Sequence, residues 1–363
     1  MTENYSLEID FLPVGDGSRS GDAIALRFGI CKNEKWENPT IMIIDGGNSD
    51  SGERLVKHVK EVYNATKVDR LILTHPDADH ASGLRNVIEQ LEIGKIWMHC
   101  PWNHWADLQH SIKDNRITKK SFTNRLREAY QFAHDIEQLA IEKKIEIFSP
   151  HQGRCYHLKE EKLLTILGPS KDLYLKLVQS SDKTPAMAVT ESKANTFSST
   201  EKKLAFEDMT FETEHLAEDK IATSAENNMS LVMLLTIGGA KVLFTGDAGT
   251  EGLFNAITYA NSQGINLKDL HVLDVPHHGS RHNLSKGILK HIKAKIAIIS
   301  CAKNGEPSHP SKIVTNSLIR RGITPYWTQG QLLYYHKGFV INRGYNSAIP
   351  IPFSNQVEIP INE

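Results

Sequence analysis

His75, Asp77, Asp79 and His80 place four potential metal ligands within six residues, in the run Thr74-His75-Pro76-Asp77-Ala78-Asp79-His80. Imidazoles and carboxylates at this density suit a divalent cation, because neighbouring carboxylates repel one another unless a cation lies between them. An apolar run, Leu71-Ile72-Leu73, precedes the ligands and Ala81-Ser82-Gly83-Leu84 follows them. That order predicts a turn at the C-terminal end of a strand, where a rigid element holds a loop free to curl round an ion. Pro76 and the aspartates would also suit a plain solvated turn. The rest of the chain decides between the two.

The same arrangement recurs. Ile41-Met42-Ile43-Ile44 ends in Asp45-Gly46-Gly47, and Lys241-Val242-Leu243-Phe244 ends in Thr245-Gly246-Asp247. Asn228 stands just before Leu231–Leu235, and Leu270–Val275 leads into Pro276-His277-His278-Gly279-Ser280-Arg281-His282. A further strand-like run, Lys295–Ser300, is followed by Ser308-His309-Pro310. In open α/β architectures such strand ends gather at one edge of the sheet. Val14-Gly15-Asp16-Gly17 lacks the pattern of a phosphate-binding loop and reads as a tight turn.

In this order the motifs resemble the metallo-β-lactamase superfamily, and within it the hydrolase domains of the ComEC competence family. The matching pieces are Phe11–Gly15, Ile44–Gly47, Leu73–His80, Asn227–Val232, Phe244–Asp247, Pro276–Ser280 and Ser308–Pro310. The resemblance implies an α/β fold, a four-layer αββα sandwich, and a hydrolase whose two divalent metals share a hydroxide. It places His75 and Asp77 on the first metal and Asp79, His80 and His277 on the second. Asp247 would bridge the two, and His278 is the alternative to His277. Asp45 would orient a ligand histidine. Asp79 and His309 are the candidate catalytic residues, and Ser280, Arg281 and His282 the candidate substrate contacts. Two positions depart from the family pattern. Asp77 stands where a histidine is usual, and Asn228 stands in the place of the third histidine. Oxygen donors favour manganese or magnesium, so manganese rivals zinc as cofactor. The expected activity is that of a phosphodiesterase or nuclease, acting on a nucleic-acid strand (single-stranded) or a small phosphodiester. The alternatives are a small-molecule hydrolase, such as a phosphocholine esterase, cyclic-nucleotide hydrolase or lactonase, or a partner-dependent subunit of a defence system.

Composition limits these readings. Lys+Arg number 42 and Asp+Glu 43, so nucleic-acid binding must rest on a local patch rather than an overall basic charge. Cys31, Cys100, Cys155 and Cys301 are too scattered for a zinc knuckle or a disulfide framework. The polar opening Met1–Asp10 and the absence of an 18-residue apolar run predict a cytoplasmic chain with no membrane contact. One domain, 1–363, is expected, with insertions at about 100–160 and 180–226. In the first, Trp102, His104, Trp105, Lys113, Arg116, Lys119 and Lys120 interleave rings with bases, suiting either a nucleic-acid contact or a packed loop. Phe122, Leu126, Ala129, Ala133, Ile136 and Ala140 then predict one helix over 121–143. Its apolar stripe would face the core or a protein partner.

Overall fold

Leu7, Ile9 and Phe11 leave one face of the strand Ser6–Phe11 and enter a core shared by two sheets. This period-two alternation sorts the strand side chains between layers. Ile24, Leu26 and Phe28 of Ala23–Lys32 join the same core, while Ala23 and Ala25 face the helices outside. Met42 and Ile44 of Lys35–Gly46 repeat the division against Ile41 and Ile43. The structure, a computed structural model, describes residues 5–15, 19–112, 116–158, 161–184, 204–305 and 308–360.

Among the described residues, one seven-stranded sheet runs in the order Leu333–Lys337, Ser6–Phe11, Ala23–Lys32, Lys35–Gly46, Arg70–Ile72, Lys95–Trp97, Glu146–Phe148. The second runs Thr324–Trp327, Ala294–Ile299, Leu270–Asp274, Ala240–Phe244, Val232–Ile237, Glu161–Gly168, Cys155–Leu158. Met233, Leu235, Phe244, Val272 and Ile298 are the second sheet's share of the central core. Helices Ser49–Glu61, Leu84–Gln90, Lys119–Ala129 and Gln131–Glu142 cover the first sheet, and Thr250–Ser262, Lys286–His291 and Lys312–Arg320 cover the second. The layers are those of an αββα sandwich.

Four neighbouring strands in each sheet run parallel, from Lys35–Gly46 to Glu146–Phe148 and from Ala240–Phe244 to Thr324–Trp327. Their C-terminal ends carry Asp45, His75, His99 and His151 on one side, and Asp247, His277, His278 and His309 on the other.

The helix expected over 121–143 is two helices, broken at Tyr130 with φ −116° and ψ 47°. The buried Tyr130 hydroxyl donates to Glu226 at 2.9 Å, a tertiary anchor that helical periodicity does not register. Phe122, Leu126, Ala133, Ile136 and Ala140 are buried in the outer core, so the chain itself covers the stripe except at Ala129, which is exposed. Trp102 is buried too, with its indole N–H donated to Glu137 at 3.0 Å, and Trp105 packs on Phe122. These rings form a packed loop, and Lys113 lies outside the described residues. The insertion expected at about 180–226 contains the strand Leu204–Asp208, paired with Gln356–Pro360, while 185–203 lie outside the described residues. No described helix is long and apolar enough to cross a membrane.

Candidate metal centre

Asp45 is fully buried at the end of its strand, with φ 55°. Its carboxylate accepts from Thr74 N at 2.7 Å and Thr74 Oγ1 at 2.5 Å, and lies 2.7 Å from His80 Nδ1. The last contact makes Nδ1 the donor, fixes the ring, and leaves Nε2 free on the side of Asp247.

Asp247 is approached from four sides. Its Oδ1 lies 3.2 Å from His80 Nε2 and 3.6 Å from His278 Nε2. Its Oδ2 lies 3.7 Å from His75 Nε2 and 3.7 Å from His277 Nε2. His75 Nε2, His80 Nε2, His278 Nε2 and Asp247 Oδ1 are all buried, and none has a hydrogen-bond partner. The closest pair, at 3.2 Å, is not aligned as a hydrogen bond. Each unsatisfied buried polar atom costs about 1–3 kcal/mol. Four at one point call for a further group, and a divalent cation fits their chemistry. Asp79, His80 and His278 bring one ligand atom each within 4.8 Å of one another. So do His75, His80 and Asp247, and also Asp22, Asp247 and His278.

The turn after Leu270–Asp274 presents the two adjacent imidazoles. His277 and His278 adopt φ values of 49° and 56°, an uncommon conformation for non-glycine residues. His278 Nδ1 donates to Ser300 O at 2.9 Å, turning Nε2 inward, and the residue is 3% exposed. His277 is more open, and its Nδ1 sits between Asn227 Nδ2 at 3.0 Å and Asn283 Oδ1 at 2.9 Å.

The electrostatics match a cation site. Burial would raise the Asp247 pKa, but His80, His277 and His278 hold it well below the ordinary carboxylate value. Burial would lower that of His80, yet Asp247 and Asp45 hold it well above the usual imidazole value. Burial takes His278 down to about 3 and also lowers His75, so both are neutral and can offer lone pairs. Asp22 is raised to about 7, by burial and then, against the pull of His80, by the neighbouring Asp247 and Asp45.

The family model of the metallo-beta-lactamase superfamily matches residues 40–303. The chain belongs to the metallo-beta-lactamase superfamily. It is a hydrolase of that superfamily of metal-dependent enzymes. Recombination protein 2 of Haemophilus influenzae is 34% identical over 88 residues, which make up 24% of this chain and 10% of that protein. Among solved structures, a diphosphatase from the PhnP family is similar at TM-score 0.41 and 12% identity, covering 92% of this chain and 99% of that one. The long form of RNase Z from yeast is similar at TM-score 0.39 and 12% identity, covering 92% of this chain and 42% of that one.

For this metallo-beta-lactamase superfamily member, the structure brings together His75, Asp79, His80, Asp247, His277 and His278 from the sequence reading. The nitrogen standing with Asp79 and His80 is that of His278, while His277 faces the His75 side of Asp247. Asn228 is engaged by backbone at both ends: Oδ1 accepts from Gly252 N at 3.0 Å and Nδ2 donates to Ser224 O at 3.2 Å. It joins its own helix to the helix Thr250–Ser262 at the position where the family pattern has its third histidine. Asp77 Oδ2 is 3.9 Å from His75 Nε2, but its Oδ1 is 2.7 Å from Lys183 Nζ. His309 follows the same edge, its ring 5.7 Å from that of His277 and 6.2 Å from that of His278, with a buried unpartnered Nδ1. Ser280 Oγ accepts from His282 N at 3.3 Å, Arg281 is half-buried in the field of Glu358, and His282 is near enough to act on the charge of His309.

Asp22 and Lys183 were not among the sequence candidates. Asp22 follows Gly21, whose added Cβ would lie 2.1 Å from Asp79 O. A glycine beside an acid at a strand start was the available signal. His99, His104, His151 and Tyr174 also form a cluster, with His99 4.6 Å from His151 and 4.3 Å from Tyr174 between ring centres. Burial, helped by His151 and His104, holds His99 well below the ordinary imidazole value.

Proposed function

We propose that this chain is a metal-dependent phosphodiesterase that cleaves a single nucleic-acid strand at the Asp247 centre. The observation that carries the proposal is the convergence of three unpartnered imidazole nitrogens on one buried aspartate, among further carboxylates. Asp79, His80, His278 and Asp247 would hold the ion, with Asp22 behind His80 and His278. A bound divalent metal supplies Lewis acidity toward water and phosphoryl oxygens at this spot. The mixture of carboxylate and imidazole donors suits manganese, with zinc as its rival.

The protein's own groups do the rest. Asp45 keeps the His80 ring in one orientation through Nδ1. Ser300 O does the same for His278. Burial holds His309 at about 3, so it is a neutral imidazole and contacts a phosphate oxygen through a ring N–H rather than as a preformed cation. Lys183 and Arg281 provide cationic groups for an anionic substrate in a chain with no basic excess. The ComEC-like order of motifs supports a nucleic-acid substrate over a small one.

The test is incubation of purified protein with labelled single- and double-stranded DNA and RNA and with a small phosphodiester. Each is offered with Mn²⁺, Mg²⁺, Zn²⁺ or a chelator. Cleavage of single strands with Mn²⁺ is expected, lost with chelator and in Asp79→Ala. Hydrolysis of the small diester alone would move the assignment to a small-molecule hydrolase. A chain that binds no divalent ion would overturn both.

A further inference from the structure

Asp77 already has a cation. Lys183 Nζ lies 2.7 Å from Asp77 Oδ1, a charge-assisted contact in which the lysine side chain remains 39% exposed and that of the aspartate 28%. The lysine is held in place by its surroundings. It follows the helix Lys171–Ser180 in a turn whose Ser181 and Thr184 are buried. Ser181 Oγ accepts from Lys183 N at 3.1 Å and donates to Glu226 at 2.5 Å, and Thr184 Oγ1 donates to Val178 O at 2.5 Å. The ammonium also lies 5.0 Å from the centre of the Tyr130 ring. Tyr130 and Ser181 both bond to Glu226 Oε1, so the lysine and the ring it faces share one anchor.

The donors on the two sides of Asp247 are unequal. On one side Asp79, His80 and His278 converge, with Asp22 behind them. On the other, His75 Nε2 is 3.9 Å from Asp77 Oδ2 and 3.7 Å from Asp247 Oδ2, while Asn228 is spent on backbone. His75 also groups with His80 and Asp247. That group competes with Asp79 and His278 for the same His80 Nε2, because His80 Nδ1 is committed to Asp45. A divalent ion seated between His75 and Asp77 would share the Asp77 carboxylate with an ammonium, and the two like charges would repel.

We infer that Lys183 stands in for one of the two metal ions. On the metal-centre reading above, one divalent ion resides with Asp79, His80, His278 and Asp247. The Lys183 ammonium supplies the positive charge on the Asp77 side, where it meets a non-bridging phosphate oxygen of the substrate. Asp77 is then a tether for the lysine rather than a metal ligand.

The experiment is metal counting: the protein is loaded with Mn²⁺, dialysed, and analysed by elemental emission, with calorimetric titration in parallel. Wild type and Lys183→Arg are expected to hold one equivalent. Lys183→Met, which frees Asp77, is expected to hold two, and Asp77→Asn one. Thermal unfolding checks each fold, and Lys183→Arg keeps the test informative if Lys183→Met is unstable. Two tightly held equivalents in wild type, or one in a folded Lys183→Met, would overturn the substitution while leaving the metal centre standing. No bound ion in any variant would overturn the metal-centre reading itself, and this inference with it.

Discussion

Asp247 gathers the site because its two oxygens face different imidazole pairs, His80 with His278 and His75 with His277. The placement of His278 beside Asp79 and His80 gives an ordered expectation for Mn²⁺ affinity, measured by titration calorimetry. Asp45→Asn disturbs the partner of His80 together with the bonds from Thr74, and is expected to weaken binding by about 10–100-fold. His278→Ala should weaken it more than that, and His277→Ala less. The reverse order for the two histidines would contradict the placement. Strand-end residues such as Asp45, His75, His80 and Asp247 were legible in sequence because an apolar run followed by a ligand-type residue recurs along the chain. The choice between His277 and His278 was not. It depends on two consecutive left-handed residues and on a bond to Ser300, 22 positions away in the chain. Lys183 was hidden for a similar reason, since its partner Asp77 is 106 positions distant.

The elements that carry the ligands are short and meet at close backbone approaches. Gly21 precedes the strand Ala23–Lys32, and a Cβ there would lie 2.1 Å from Asp79 O, a backbone atom with no easy way to yield. Gly21→Ala should therefore force the Asp22 and Asp79 segments apart. The expected result is a stability loss of about 1–3 kcal/mol by chemical denaturation, together with weaker Mn²⁺ binding. Unchanged stability and affinity would mean that this contact does not position the site. The strands and their layering could be read from alternation and apolar runs. The break at Tyr130 could not, because local periodicity favours one continuous helix across 121–143, and the bond from the buried Tyr130 hydroxyl to Glu226 spans 96 positions of the chain.

Across the whole molecule, the site exists only where the edges of two sheets meet. Asp22, Asp45, His75 and His80 come from the first, Asp247, His278 and His309 from the second, and both are backed by their own helices. The halves are stitched beside the centre by Ser300 Oγ to Gly21 O at 2.8 Å, Ala302 N to Ser20 Oγ at 3.0 Å, and Leu231 N to Thr74 O at 3.1 Å. Elsewhere, Arg343 joins the buried Glu8 and Asp10 at 2.6 and 2.8 Å, fastening the C-terminal segment to the first strand. Buried carboxylates of this kind are stable only when paired, so the tail belongs to the fold rather than hanging from it. Assembly of the centre from both halves is tested most directly by crystals loaded with Mn²⁺ and measured at the manganese absorption edge. An anomalous peak is predicted within coordinating reach of His80 Nε2 and His278 Nε2 and beside Asp247. A peak ligated elsewhere, or none beside Asp247, would contradict the account.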